Sequence, residues 1–167
     1  PAFYTSMCGL GLLAEDNPAY HKHIRKAAHY VAYSGQFSAW SWARGINAMF
    51  LGEYYLRTKD KSILTGLSLA LKRCEDTLLV GYVAGHHYHN PGYSGGGQIS
   101  GSGTIACALA IAEHTPAEFT RGMALKMMER IQSLAILGTV PYGRASARSV
   151  KKKVFDLNNR WGGQTST

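Results

Sequence analysis

Between residues 85 and 98 the chain runs Gly85-His86-His87-Tyr88-His89-Asn90-Pro91-Gly92-Tyr93-Ser94-Gly95-Gly96-Gly97-Gln98, its densest stretch of polar, aromatic and glycine residues. A connection this long between helix ends is uncommon unless it has a task or is mobile. Histidine titrates near neutrality and tyrosine can return a proton. His87 or His89 as base, with Tyr88 or Tyr93 as acid, would therefore suit proton abstraction. Arg44 would steady an anionic group, with Asn90 as a second partner and Gln98 as a substrate contact. A metal fits less well. His86, His87 and His89 are crowded, neighbouring side chains point apart unless the loop curls, and no fourth ligand is evident. No metal and no cofactor is expected. The competing view is a surface loop whose rings stack and hydrogen-bond locally.

A second group lies further back: Trp40, Trp42, Arg44, Asn47, Glu53, Tyr54 and Tyr55. Trp40 and Arg44 share a helix face at an interval of four, and Asn47 follows three later. Polar groups on a buried helix are costly unless paired or turned to a cavity. Aromatics lining such a cavity would stack on a sugar or cover an apolar ligand, which makes Trp40, Trp42 and Asn47 candidate substrate contacts. Alternatively, the tryptophans fill a core and Arg44 pairs with a carboxylate. Gly101-Ser102-Gly103-Thr104-Ile105-Ala106 formally matches a dinucleotide fingerprint but lacks the hydrophobic strand that must precede it. Small residues there suit close helix approach or a sharp turn. The chain holds no paired catalytic carboxylates at recognisable spacing and no phosphate-cradling Gly-Lys-Ser/Thr.

The elements that would position these groups are helices. Asn17-Pro18-Ala19 and Thr115-Pro116-Ala117 each put a capping residue before a proline, and Thr115-x-x-Glu118 reads as a capping box. Asp60 is a third cap. Each start follows a small, apolar run: Thr5–Ala14, Ser38–Leu56 and Ser102–Glu113 are predicted as helices buried on most sides. The partners are amphipathic. Tyr20, Ile24, Ala27, Ala28 and Val31 form one stripe. In Lys61–Val80 the stripe is Ile63, Leu67, Leu71, Cys74 and Leu78; in Pro116–Leu134 it is Phe119, Met123, Met127, Ile131 and Leu134. Three such units argue for internal repetition.

This alternation of an inner, buried helix with an outer, half-exposed one resembles the α/α-toroid class shared by terpenoid cyclases, protein prenyltransferases and many polysaccharide lyases. The Trp40-Ser41-Trp42-Ala43-Arg44-Gly45 opening and the Gly-rich entry to the third inner helix also resemble an uncharacterised bacterial family of toroid-like domains. The resemblance spans roughly residues 3–137. It implies an all-α fold of repeated helical hairpins forming part of a toroid, and an outer-to-inner loop such as 85–98 at the cavity mouth. It also implies that further hairpins come from a larger multidomain chain or from another copy. His, Tyr, Asn and Arg together resemble the acid–base set of toroidal lyases, so carbohydrate-active chemistry on a small-molecule or glycan ligand is the leading expectation. A non-catalytic binding or interaction module is the alternative, and whether the chain is an enzyme stays open. The resemblance also tilts localisation toward the periplasm or a secreted setting.

Bulk properties bound the rest. With 167 residues, 46% hydrophobic and 17% charged, the chain suits one well-buried domain. Residues 1–137 are expected to form it, with 138–167 an irregular basic tail or the start of a neighbouring module. Val150–Leu157 reads as one short strand. Of the net charge of +8, much falls late, at Arg144, Arg148 and Lys151 to Lys153. No nucleic-acid-binding signature accompanies it, so neither nucleic acid nor membrane is an expected partner. Pro1-Ala2-Phe3-Tyr4 has no initiator Met and reads as starting inside a helix. Cys8, Cys74 and Cys107 have no paired spacing, and all three are expected to be buried free thiols.

Overall fold

The computed structural model describes residues 2–35, 38–79, 83–84 and 99–135. Among these residues six helices carry the fold: α1 (Ala2–Glu15), α2 (His21–Tyr33), α3 (Ser41–Thr58), α4 (Leu64–Glu75), α5 (Ile99–Ala112) and α6 (Met123–Leu134). Short 3-10 turns, Pro18–Tyr20 and Lys61–Ile63, lead into α2 and α4. One small ribbon follows α4, where β1 (Leu78–Leu79) pairs antiparallel with β2 (Val83–Ala84), Leu78 opposite Ala84.

The fold is all-α, and it is a repeat. α1–α2, α3–α4 and α5–α6 pack as hairpins, and α3 lies between α1 and α5 to make an inner row. In the outer row, α2 packs on α3 and α4 as well as on α1. The inner helices run in the same direction, N-termini together. Ser6 on α1 meets Asn47 on α3 through a 2.8 Å hydrogen bond, Phe3 lies edge-on to Trp42 at 4.8 Å, and the Thr104 hydroxyl of α5 donates to the Trp42 carbonyl at 3.2 Å. Burial follows the sequence stripes: Ile24, Ala28 and Val31 on α2, Leu67, Leu71 and Cys74 on α4, and Met127 on α6 turn inward. α3 is buried most completely, with Phe50 and Leu51 sealed at its centre. A row two layers deep buries its middle member from three sides, which is why α3 lacks a polar stripe.

Two helix starts match their sequence signals. Asn17 Oδ1 accepts from the Ala19 amide and Asp60 Oδ1 from the Ser62 amide, both at 3.0 Å. The third does not. Thr115 accepts from the Ala117 amide at 3.3 Å but donates back to the Ala112 carbonyl at 2.9 Å, so it closes α5. The Glu118 amide donates to Ser68 Oγ on α4, and no capping box forms. Helix α6 starts only after Gly122, at φ +72°, seven residues later than Pro116 suggests. The cause is Arg121. Its guanidinium donates to the carbonyls of Ala112, Thr115 and Ala117 and lies 4.3 Å over the Phe119 ring, which satisfies the end of α5 and holds 113–122 out of a helix. Likewise α4 ends at Glu75 and not near Val80, because the Thr77 hydroxyl turns back onto the Cys74 carbonyl and the ribbon begins.

The cysteine expectation holds for one residue of three. Cys74 is fully buried, and burial pushes its thiol up to about 12. Cys8 and Cys107 are exposed, because they lie on the side of the inner row turned away from the outer helices. The segment 138–167, with the strand expected at Val150–Leu157, lies outside the described residues.

Candidate functional site

That uncovered side of the inner row is the first candidate surface. Exposure marks it helix by helix: Tyr4, Met7, Cys8 and Gly11 on α1; Trp42, Ile46, Met49 and Glu53, half-buried at intervals of four, three and four, on α3; Gly103, Cys107 and Ala110 on α5. Tyr4 is 66% exposed, and its ring stands edge-on to Phe3, which in turn abuts Trp42. An aromatic patch therefore crosses from α1 to α3 at the N-terminal end of the row. Trp40, the residue before α3, is also exposed, to 41%.

The histidine-rich segment is anchored at this same end. The chain leaves the ribbon at Ala84, whose amide donates to Ser102 Oγ at 2.8 Å, and re-enters at Ile99, the start of α5. His86, His87, Tyr88, His89, Asn90, Tyr93 and Gln98 themselves lie outside the described residues. The glycine motif is inside the first turns of α5. Gly103 has no atom within 4 Å of where a Cβ would stand, so it spaces nothing, whereas Gly45 on the neighbouring helix sits hard against Thr104.

Two further site candidates are turned inward. Arg44 is 4% exposed, its Nε donating to the Ser38 carbonyl at 2.7 Å and its Nη1 to the Arg73 carbonyl at 2.9 Å. That guanidinium joins the entry of α3 to the last turn of α4, where helix carbonyls need donors. Asn47 is 1% exposed, and its amide nitrogen has no partner. Ser6 Oγ reaches both the Ala2 carbonyl at 3.0 Å and Asn47 Oδ1 at 2.8 Å with one hydrogen to give. Turning the amide over lets Asn47 donate to Ser6 while Ser6 donates to Ala2, which leaves the amide oxygen unpaired instead. In either orientation one polar atom of Asn47 is unspent beside the inner row.

At the other end of the helices is an open cleft of about 470 Å³, bounded by the C-terminal ends of α1 and α3 and by α2. Leu12, Leu13 and Ile24 supply its apolar wall, Tyr54 and Thr58 its hydroxyls, and Asp16, His21, Arg25, Arg57 and Asp60 its charges. Asp60 is the hub. Beyond capping the 3-10 turn, it accepts from the Ser62 hydroxyl and from the Tyr54 phenol at 2.9 Å, with His29 Nε2 3.5 Å away. The Ser62 and Tyr54 donors hold its carboxyl far below the ordinary carboxylate range, while burial and this acceptor push the Tyr54 phenol up to about 12. Ser62, His29 and Asp60 do not make a nucleophilic triad. Ser62 Oγ and Asp60 both face the same ring nitrogen, and the Ser62 proton goes to Asp60. Among the described residues no group of three His, Cys, Asp or Glu side chains is placed to hold a metal ion, and no helix is long and apolar enough to cross a membrane.

The depressed Asp60 carboxyl has a testable consequence. An unfolded aspartate takes a proton near 3.8, whereas the folded one resists it, so the stability that Asp60 contributes is complete above that value and is lost as pH falls through the acid range. Chemical denaturation of the wild type and of Asp60→Asn should differ most at neutral pH and converge toward pH 2. A gap of constant size across that range would mean that Asp60 acts by shape alone.

Nothing in sequence marked this cavity as a site. Tyr54 was visible as part of an aromatic run and Asp60 as a cap, but the space arises from three helix ends meeting, which no periodicity encodes.

A two-layer repeat of helical hairpins, with an aromatic open face at one end and a charged cavity at the other, defines the class. Within it, the chain belongs to the family described as Domain of unknown function (DUF6288), which it matches over residues 1–164. No curated protein and no solved structure matches it.

Proposed function

We propose that the chain is part of an α/α-toroid that binds and cleaves an acidic glycan at the N-terminal end of its inner helices. The observation that carries this reading is convergence: the aromatic patch of Tyr4, Phe3 and Trp42 occupies the end of the row where both anchors of the segment 85–98 sit. Rings exposed on a rigid helical row are suited to stacking on sugar faces. In the lyase-like step, His87 or His89 takes the proton beside the sugar carboxylate. The electron pair forms the carbon–carbon double bond as the glycosidic C–O bond breaks, and Tyr88 or Tyr93 protonates the departing oxygen. Asn90, Gln98 and Trp40 would add contacts. Arg44 and Asn47 are both turned inward, so the anion-steadying role falls to a residue of another hairpin.

The test is affinity electrophoresis of the purified chain through polygalacturonate, alginate and chondroitin sulfate, with unsaturated products read by ultraviolet absorbance. Tyr4→Ala with Trp42→Ala should reduce retardation by about tenfold, a loss equivalent to one or two stacking contacts. His87→Ala with His89→Ala should leave retardation intact and abolish product. Absence of retardation in all three polymers would remove the glycan reading. A second reading, a non-catalytic interaction module, draws on the apolar residues that share the face, Met7, Ile46 and Met49; it predicts no glycan binding and a face covered by another helical unit.

A further inference from the structure

The cavity at the opposite end of the helices is a second site, independent of the glycan reading. It lies about 20 Å along the axes from the aromatic patch, on the rise of α1 and α3. We infer that it binds a small amphipathic anion: an oxyanion head held between Arg25 and Arg57, with a short hydrocarbon body against Leu12, Leu13 and Ile24.

The argument starts from unspent donors. Arg57 gives one N–H, from Nη1, to Asp16 at 2.9 Å, and its remaining donors meet no acceptor among the described residues. Arg25 stands 3.8 Å from Asp60 Oδ2, beyond hydrogen-bonding distance, and makes no hydrogen bond among the described residues. Asp60 holds it only as a loose ion pair, since its closer contacts are the Tyr54 phenol on Oδ2 and the Ser62 amide and hydroxyl on Oδ1. Asp60 is engaged mainly by Tyr54 and Ser62, and Asp16 takes a single N–H of Arg57, so most donors of the two guanidinium groups remain at the cavity with His21 beside them. Guanidinium forks match carboxylate and phosphate oxygens in geometry as well as charge.

The cavity wall sets the rest of the ligand. Leu13 and Ile24 are buried to within a few per cent yet line an open space, so an apolar body entering there gains contact without moving the core. A volume of about 470 Å³ is in the range of small-molecule pockets and much larger than a bare anion needs. An inorganic ion would leave the apolar wall wet. A neutral hydrocarbon would leave most of the N–H donors of both arginines without an acceptor at the cavity. A carboxylate and a phosphate monoester share the chemistry that satisfies both.

Isothermal titration of the full chain with octanoate, octyl phosphate, octanol and inorganic phosphate separates these cases. Octanoate or octyl phosphate, whichever fits the spacing of the forks, should bind at least about tenfold more tightly than octanol and than inorganic phosphate. Arg25→Gln with Arg57→Gln should weaken it by about tenfold or more. Both arginines are substantially exposed, so far-UV circular dichroism should show the variant folded. Tighter octanoate assigns a carboxylate ligand, and tighter octyl phosphate a phosphate ester. Equal binding of all anions regardless of chain means an adventitious ion only and overturns the site, as does binding that the double variant leaves unchanged or no binding of either amphiphile.

Discussion

Gly45→Ala should destabilise the chain by about 2 kcal/mol, the scale of forced overpacking, and lower its melting temperature by roughly 4–8 °C. A Cβ built at Gly45 would stand 2.7 Å from the Thr104 carbonyl carbon and 2.8 Å from the Ile105 nitrogen. Both belong to the backbone of α5, so no rotamer change relieves the clash and the two inner helices must separate. Gly52 faces the same helix two turns later, but its added methyl would meet the Ile111 side chain, 2.7 Å from Cγ2, which can turn aside. Gly52→Ala should therefore cost less. Gly11, in mid-helix on α1, has nothing within 4 Å of its Cβ position, and there alanine should gain about 0.5–1 kcal/mol through helix propensity. The ranking Gly45, Gly52, Gly11 in differential scanning calorimetry checks the α3–α5 seam directly. Equal melting temperatures for all three would mean that the inner helices do not approach as closely as this packing requires.

That seam also shows what sequence could and could not tell. Apolar periodicity located all three hairpins, since a helix half-covered by its neighbours must display a stripe at its own period. Asn17 and Asp60 marked their helix starts because a cap is satisfied within a few residues. Thr115 carried the same local signal and failed. The competing partners, Ser68 for the Glu118 amide and Arg121 for the carbonyls of Ala112, Thr115 and Ala117, act across a turn or from another helix. Local reading weighs neither. Exposure of Cys8 and Cys107 was missed for a related reason: small and apolar surroundings suggest burial, but which side of an inner helix is covered depends on the second layer.

The candidate sites divide along the same line. Residue types alone drew attention to the segment 85–98 and to the Trp40–Asn47 stretch, because histidines, tyrosines and tryptophans advertise chemistry wherever they lie. The cavity beside Arg25 and Arg57 gave no such notice. Its residues come from four separate stretches, Leu12 to Asp16, His21 to Arg25, Tyr54 to Thr58 and Asp60, and each is ordinary in its own stretch.

Arg44 is where the two kinds of reasoning part most clearly, and a stability measurement decides between them. A residue held ready for a substrate anion should be nearly silent in thermal unfolding when truncated. A buried brace should not. Removing the guanidinium strands the Ser38 and Arg73 carbonyls, the second in the final turn of α4, where no intrahelical donor exists. It also withdraws a positive charge from a helix C-terminus, and α3 has no side-chain cap at Trp40 to compensate for a loosened entry. Charge-assisted hydrogen bonds of this kind contribute about 1.5–3 kcal/mol each, with partial relaxation on loss, so Arg44→Ala should cost about 3 kcal/mol. For a chain of 167 residues that is a fall in melting temperature of roughly 6–12 °C. Arg44→Lys keeps the charge but reaches one carbonyl at a time, and should recover about half of the loss. A fall of less than about 2 °C in Arg44→Ala, with weakened glycan retardation, would return Arg44 to the ligand and mean that its two carbonyl contacts are incidental.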